Sequence, residues 1–343
     1  MKTQTRRDFL AKTVPGTAIA GFGLSALHPL FSLGSPQLTA TGTTSPRAYT
    51  AGRYTLNLGG QFAGPLNSVE GGNVTADVIA KGPLPQKQIP GVKYADITMK
   101  CGMGMSREFY EWIIATLAQQ IVSKNGAIDG CDFNNRILTR MNWFNALMTQ
   151  VIFPACDMTL QDPAMMTVRL TPQEIQMTSG NLGSAGQPSG KPGAQVNWSP
   201  ANFRLEIDGI DCSHVSKIEP VSAQFFTGPD LTQAALSTAG ASSKKHFSNL
   251  VITLPEAQAV SFYQWYRAAV VQGNQSGTQQ RPGILEYLTP SRNDAIFALR
   301  FRGLNILSFT QAVNTAGSGL VPNVNVQMSC ADLGFAYTAA ALA

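Results

Sequence analysis

Apolar and polar residues alternate over Tyr54-Thr-Leu56-Asn-Leu58 before Gly59-Gly60, and again over Phe203-Arg-Leu205-Glu-Ile207 before Asp208-Gly209. A period of two places every second side chain on one face, so both runs predict half-buried strands stopped at a glycine turn. Further along, YADITMKCGMGMSREFYEWI (residues 94–113) is echoed by FSNLVITLPEAQAVSFYQWY (residues 247–266) at a constant offset of 153 residues. Each copy is a short strand, a turn and the start of an amphipathic helix carrying F-Y-x-W. The first helix is predicted from Ser106, its N-cap, to Lys124, with Phe109, Trp112, Ile113, Leu117 and Ile121 on one face and Asn125-Gly126 as the stop. The second is predicted from Ala259 to Gln272, with Phe262, Trp265, Tyr266, Ala269 and Val270 inward and Gly273 at the stop. Phe109, Trp112, Phe262 and Trp265 are the expected core anchors of the repeat.

The echo extends upstream at an offset of 149 residues, pairing Tyr54 with Phe203, Leu66 with Val215 and Val69-Glu70 with Ile218-Glu219. A self-similar unit used twice is an organising fact about a chain. After each helix the pattern predicts more strands: 137–147, 150–160 and 166–177 in the first half, 283–287, 295–309 and 323–337 in the second. Two long Gly/Pro/Ser/Ala-rich connections, 71–93 and 220–246, interrupt the repeat, and long loops inside compact β units are more often functional than idle. The expected organisation is a leader (1–28), a flexible lead-in (29–52), a first domain (53–178), a Gly/Ser/Pro linker (179–201) and a second domain (202–343).

The leader holds Arg6-Arg7-Asp-Phe9-Leu10 followed by an uncharged apolar run from Thr13 to Leu27. Arg6, Arg7, Phe9 and Leu10 form a twin-arginine export signal, which implies the translocase as a partner and export of a folded chain to periplasm, cell surface or medium. The run is too short and glycine-rich for a permanent span.

The formal charge of +5 falls to about +2 without the leader, whose Lys2, Arg6, Arg7 and Lys12 outweigh Asp8 by three. No basic stripe remains, so nucleic-acid binding is not expected. Charged residues make up only 13% of the 343 positions, a composition compatible with a surface covered by other subunits and with exported proteins generally.

Catalytic chemistry has little to stand on. Gly102-Met-Gly104 lacks the third glycine of a dinucleotide turn, and Gly186–Lys191 is one residue short of a phosphate loop. His28, His214 and His246 show no metal-ligand spacing, and no G-x-S-x-G is present. Neither a catalytic residue nor a cofactor is expected. Tyr110, Trp112, Tyr263 and Trp265 suit either a sugar-stacking platform or, at helical spacing, the core. Cys101, Cys131, Cys156, Cys212 and Cys330 contain no C-x-x-C. A disulfide between Cys131 and Cys156 stands against buried free thiols, which folding before export favours.

The order of elements resembles the tail tube protein family of contractile phages and phage-like injection machines. Phe203–Gly209, His214–Glu219, Leu250–Leu254 and Phe262–Trp265 carry the resemblance in the second half. Tyr54–Gly60, Ser68–Glu70, Ile97–Met99 and Phe109–Trp112 carry it in the first. It implies a mainly β fold with flanking helices (α+β), each domain being two packed antiparallel sheets plus one α-helix. It also implies self-association into six-domain rings, here three chains, that stack into a tube. The export leader departs from the family, and so does the duplication. An exported β-domain module that binds a glycan or a cell-surface partner is the alternative reading.

Overall fold

The structure is a computed structural model, which describes residues 52–80, 87–160, 162–185, 198–225, 245–273, 279–311 and 322–342. The export signal at Arg6, Arg7, Phe9 and Leu10, the phosphate-loop-like 186–191 and the middle of both long connections lie outside the described residues.

The chain is mainly β, with antiparallel sheets and few helices. Its first half contains β1 (Arg53–Leu58), β2 (Gln61–Leu66), β3 (Ser68–Gly71), β4 (Val74–Ala80), β5 (Lys87–Tyr94), β6 (Ile97–Cys101), α1 (Arg107–Leu117), β7 (Lys124–Cys131), β8 (Ile137–Phe153), β9 (Cys156–Asp157), β10 (Met166–Thr171) and β11 (Glu174–Ser179). Its second half contains β12 (Phe203–Ile207), β13 (Lys217–Ile218), β14 (Val221–Gln224), β15 (His246–Phe247), β16 (Leu250–Pro255), α2 (Val260–Tyr266), β17 (Arg281–Leu288), β18 (Ala295–Gln311), β19 (Asn323–Ser329) and β20 (Asp332–Tyr337).

The two halves pair their strands in the same order. The path β1-β7-β8-β10-β6-β3 is matched by β12-β17-β18-β19-β16-β13, while β11 and β20 flank the first parts of β8 and β18. Registers match as well. Met148 faces Leu170 and Ile306 faces Met328, and each ladder then skips one residue, Thr149 or Leu307. Both long strands bend at a left-handed residue, Asn145 (φ 48°) or Gly303 (φ 64°). The bend lets one 17-residue strand run from one sheet into the other. Alternation supplies the inward faces: Ile97, Met99 and Cys101 in β6, Leu250, Ile252 and Leu254 in β16.

One hydrophobic core runs through both halves. Strands also cross between them. β14 adds to β8, with Val221 opposite Phe153 and Gln224 opposite Gln150, and β13 pairs with β9. Trp198, at the end of the Gly/Ser/Pro segment, is buried against Tyr287 and Phe297 at ring distances of 5.1 and 4.8 Å.

Both helices are shorter than their periodicity predicts. α1 stops at Leu117, beside the left-handed Gln119 (φ 61°), and Ile121 is exposed. From Lys124, the predicted end of the helix, residues 124–131 form β7, hydrogen-bonded to β1 on one side and β8 on the other. Ladder bonds on both edges are a tertiary gain that a local pattern cannot display. α2 passes at Arg267 into a π-helical turn that ends before Gly273 (φ 68°), and this rotation leaves Val270 exposed. The break expected near residue 148 is a bulge within the continuous β8, not a loop.

Candidate assembly surface

The aromatic anchors are interior. Phe109, Trp112, Phe262 and Trp265 are all buried. Trp112 donates its indole N–H to the Val122 carbonyl at 2.9 Å, and Trp265 donates to the Gln279 carbonyl at 3.0 Å. Each indole thus ties its helix to the chain that leaves it, which explains a Trp at this place in both halves. With Tyr110 buried too, these rings do not form a sugar platform; Tyr263 alone of the four considered lies open.

The helices differ in what covers their outer faces. Tyr110 lies under Phe297, Phe335 and Tyr337 of the second half, and its hydroxyl donates to the Ala341 carbonyl at 3.1 Å. Burial pushes that phenol well above its ordinary range. Tyr263, the matching residue of α2, is 51% exposed and touches only Phe309 at 5.6 Å among described rings. Val260 and Val271 stand open on the same side of α2 and its π-turn.

The sheet edges show the same asymmetry. The end of β8 has β10 on one edge and β14 on the other, extended by the Phe225 amide donating to the Thr149 carbonyl at 2.8 Å. The end of β18, 305–311, pairs only with β19 among the described residues. β4 and β5 form a two-stranded sheet by themselves. Unpaired edges are templates for another strand, and proteins that stay apart usually blunt them. Within 305–311 the exposed residues are Leu307, Thr310 and Gln311, none of them charged.

The polar groups are arranged for structure. Buried Asp129 accepts two bonds from Arg140, at 2.6 and 2.9 Å, and one from Asn57 at 2.8 Å. That carboxylate raises the Arg140 pKa still further. An open groove between Gly59-Gly60 and Asn125-Gly126 lies beside this pair. Among the described residues no group of three His, Cys, Asp or Glu could hold a metal ion. No helix among them is long and apolar enough to cross a membrane. All five cysteines are free. The disulfide between Cys131 and Cys156 is absent, because the two thiols sit in different hydrophobic clusters: Cys131 with Ile137 and Ala185, Cys156 in the main core. Burial pushes the thiols of Cys101 and Cys212 up to about 12, leaving almost no thiolate at neutral pH.

No protein-family model matches the chain, and neither does any curated protein. Solved tube, cap and Hcp structures are similar to part of it. A chain of the sheath-tube complex of an extracellular contractile injection system (PVC, extended state) is 24% identical, with a TM-score of 0.34, over 40% of this chain and 95% of that one. The anti-feeding prophage cap is 22% identical, with a TM-score of 0.36, over 42% of this chain and 99% of that one. Hcp1 from Flavobacterium johnsoniae is 16% identical, with a TM-score of 0.29, over 37% of this chain and 96% of that one.

Sequence reasoning placed the anchors in the repeat but missed three features of this surface. The helical pattern gives Tyr110 and Tyr263 the same two alternatives, platform or core, yet Tyr110 is covered and Tyr263 is not. The unpaired end of β18 was not singled out. Trp198 was assigned to a linker, although a lone tryptophan at the end of a Gly/Ser/Pro run was a usable signal for a buried anchor.

Proposed function

We propose that this chain is a structural, self-associating subunit of the tail tube type, built from tandem copies of one β module and exported by the twin-arginine route. The observation that carries the reading is the contrast between β8 and β18. Two strands of the same length, bend and register differ in that, among the described residues, one has its outer end covered on both edges and the other on one. A protein that used its edges only internally would gain nothing from leaving the second one free of the charges that usually blunt an edge. The motif order described above favours rings, of three chains if six modules close a circle, with stacking into a tube. No catalytic or cofactor role is assigned to any residue.

Light scattering and negative-stain electron microscopy of the purified mature protein test this. Rings or short tubes, with a mass that is a multiple of the 36.6 kDa precursor less its leader, are expected. A chain that remains monomeric at high concentration, with no rings on the grid, rejects it.

A further inference from the structure

The two halves of the chain meet in one contact. It has two components. In the first, the end of β8 receives β14 in a defined register: Val221 opposite Phe153, Ser222 opposite Ile152, Ala223 opposite Val151, Gln224 opposite Gln150. In the second, Tyr110 of α1 packs beneath Phe335 and Tyr337 of β20. Both place an acceptor face of the first half (β8 end, α1) against a donor face of the second half (β14, β20).

Each partner has a counterpart on the surface. Ala223 faces Phe247 in the β14/β15 hairpin as Val74 faces Tyr94 in the β4/β5 hairpin, and Gln224 faces His246 as Thr75 faces Lys93. β4 therefore stands where β14 stands, but no third strand joins it among the described residues. Val74, Thr75 and Ala76 are exposed. On the acceptor side, the shared bulge maps Gln150, Val151 and Ile152 onto Ser308, Phe309 and Thr310. The second component behaves likewise. Leu299 faces Phe335 as Met141 faces Met177, so Met177 is the counterpart of Phe335. Phe335 is 7% exposed and Met177 is 61% exposed. Tyr110 is fully buried, and its counterpart Tyr263 is half open. Ala223, Phe335 and Tyr110, which the internal contact buries, thus have exposed counterparts in Val74, Met177 and Tyr263, whereas Val221 and Phe153 correspond to Gly72 and Gln311.

We infer that the end of β18 and the outer face of α2 in one copy dock onto β4 and β11 of a second copy, repeating the internal contact. Val74 then lies opposite Phe309, Thr75 opposite Ser308 and Asn73 opposite Thr310, while Tyr263 and Val260 are covered by the second copy's β11 around Met177. The surfaces are different on the two partners, so the contact is head-to-tail and propagates until a ring closes. A second copy is the occupant because this chain already carries the matching strand, in the matching register, on its opposite face. The inference rests on the self-association proposed above and adds which faces meet and how.

Oxidative cross-linking of the mature chain tests it. Thr75→Cys with Ser308→Cys in one chain places two thiols across the new ladder, whose opposed residues fall within disulfide reach. A ladder of covalent dimers and trimers, collapsed by reductant, is expected. Unsubstituted protein, and Asn73→Cys with Ser308→Cys two residues out of register, should give at least about ten-fold less product. Gln150→Cys with Gln224→Cys provides the internal control and should close within one chain without change of mass. Independently, Met177→Asp and Tyr263→Asp, both at exposed positions, should raise the concentration needed for assembly by about ten-fold or more, because each puts a charge into a contact that buries it. Assemblies that form without the cross-linked ladder, and that tolerate both aspartates, overturn this docking while leaving self-association in place. A chain that never assembles overturns both.

Discussion

Asp129 and Glu286 occupy corresponding places in β7 and β17, opposite Thr55 and Arg204 of the neighbouring strands. Each carboxylate is held by one arginine, but the arginine comes from different sides. Arg140 reaches Asp129 from β8, and Arg204 reaches Glu286 from β12. Asp129 is buried and gains a third bond from Asn57, whereas Glu286 and Arg204 remain in contact with solvent. The same frame therefore carries a buried network in one half and a surface ion pair in the other. The bends repeat the lesson. Asn145 and Gly303 both adopt the left-handed conformation, Asn145 with its side chain bonded to Gln173 at 2.8 Å and Gly303 with no side chain at all. Backbone geometry is shared between the halves, and the chemistry that secures it is local to each.

The comparison breaks most visibly at the anchors. Trp112→Ala and Trp265→Ala should each cost roughly 3–5 kcal/mol, for the lost volume and the lost indole bond, with Trp112 toward the upper end. Trp265 has a flanking Arg281 guanidinium 5.3 Å from its ring, which can fold over part of the vacancy. Urea unfolding midpoints measure this; equal small losses at both sites would show that the anchors do not hold the helices.

Thiols distinguish the halves next, since Cys101 stands where the second half has Leu254, and Cys212 where the first half has Ala63. With both raised by burial to about 12, the folded state holds protons that the unfolded chain releases near its ordinary thiol range. Stability is then fully present below about pH 8.5 and declines as pH rises toward 12, by up to ~1.4 kcal/mol per pH unit for each thiol. Cys101→Ala should flatten the alkaline limb of a stability-against-pH profile relative to the parent. An unchanged slope would place that thiol in water.

The arginines sharpen the contrast further. Arg140→Ala strands a buried carboxylate and should cost roughly 1–3 kcal/mol, below the fully buried case because the guanidinium reaches solvent. Arg204→Ala should cost less than about 1 kcal/mol. Thermal or chemical denaturation of the two variants side by side decides, and a reversal of their order would mean that Asp129 is hydrated in solution. The smallest contrast between the halves is expected at the bends. Gly303→Ala forces a Cβ into a left-handed residue 2.8 Å from the Ala331 methyl and should cost about 1–2 kcal/mol. Asn145→Gly, which keeps the conformation and loses only side-chain bonds, should stay within about 1 kcal/mol.

Much of the frame was legible along the chain. The two F-Y-x-W helices, the alternating β1, β6, β12 and β16, the N-cap at Ser106 and the stop at Gly273 follow from local rules of period, capping and left-handed glycine. β7 was hidden in the predicted helix stop and the connection after it. Lys124-Asn-Gly-Ala has no strand alternation, and its pairing with β1 and β8 depends on residues far away in sequence. Trp198 was hidden for a related reason, because composition marks a segment as loop without saying what its one large side chain can reach.

The periodicities along the chain pointed to its many strands, to where each helix begins and to the buried anchors, since these are patterns among near neighbours in sequence. Only the folded chain decided which copy's outer face is covered. Tyr110 and Tyr263 sit in almost the same local sequence and differ in burial because Phe297, Phe335 and Tyr337 of the second half pack on the first, while among the described rings only Phe309 touches the second. A strand edge is satisfied or left open by what lies beside it in space, and no residue on that strand records which.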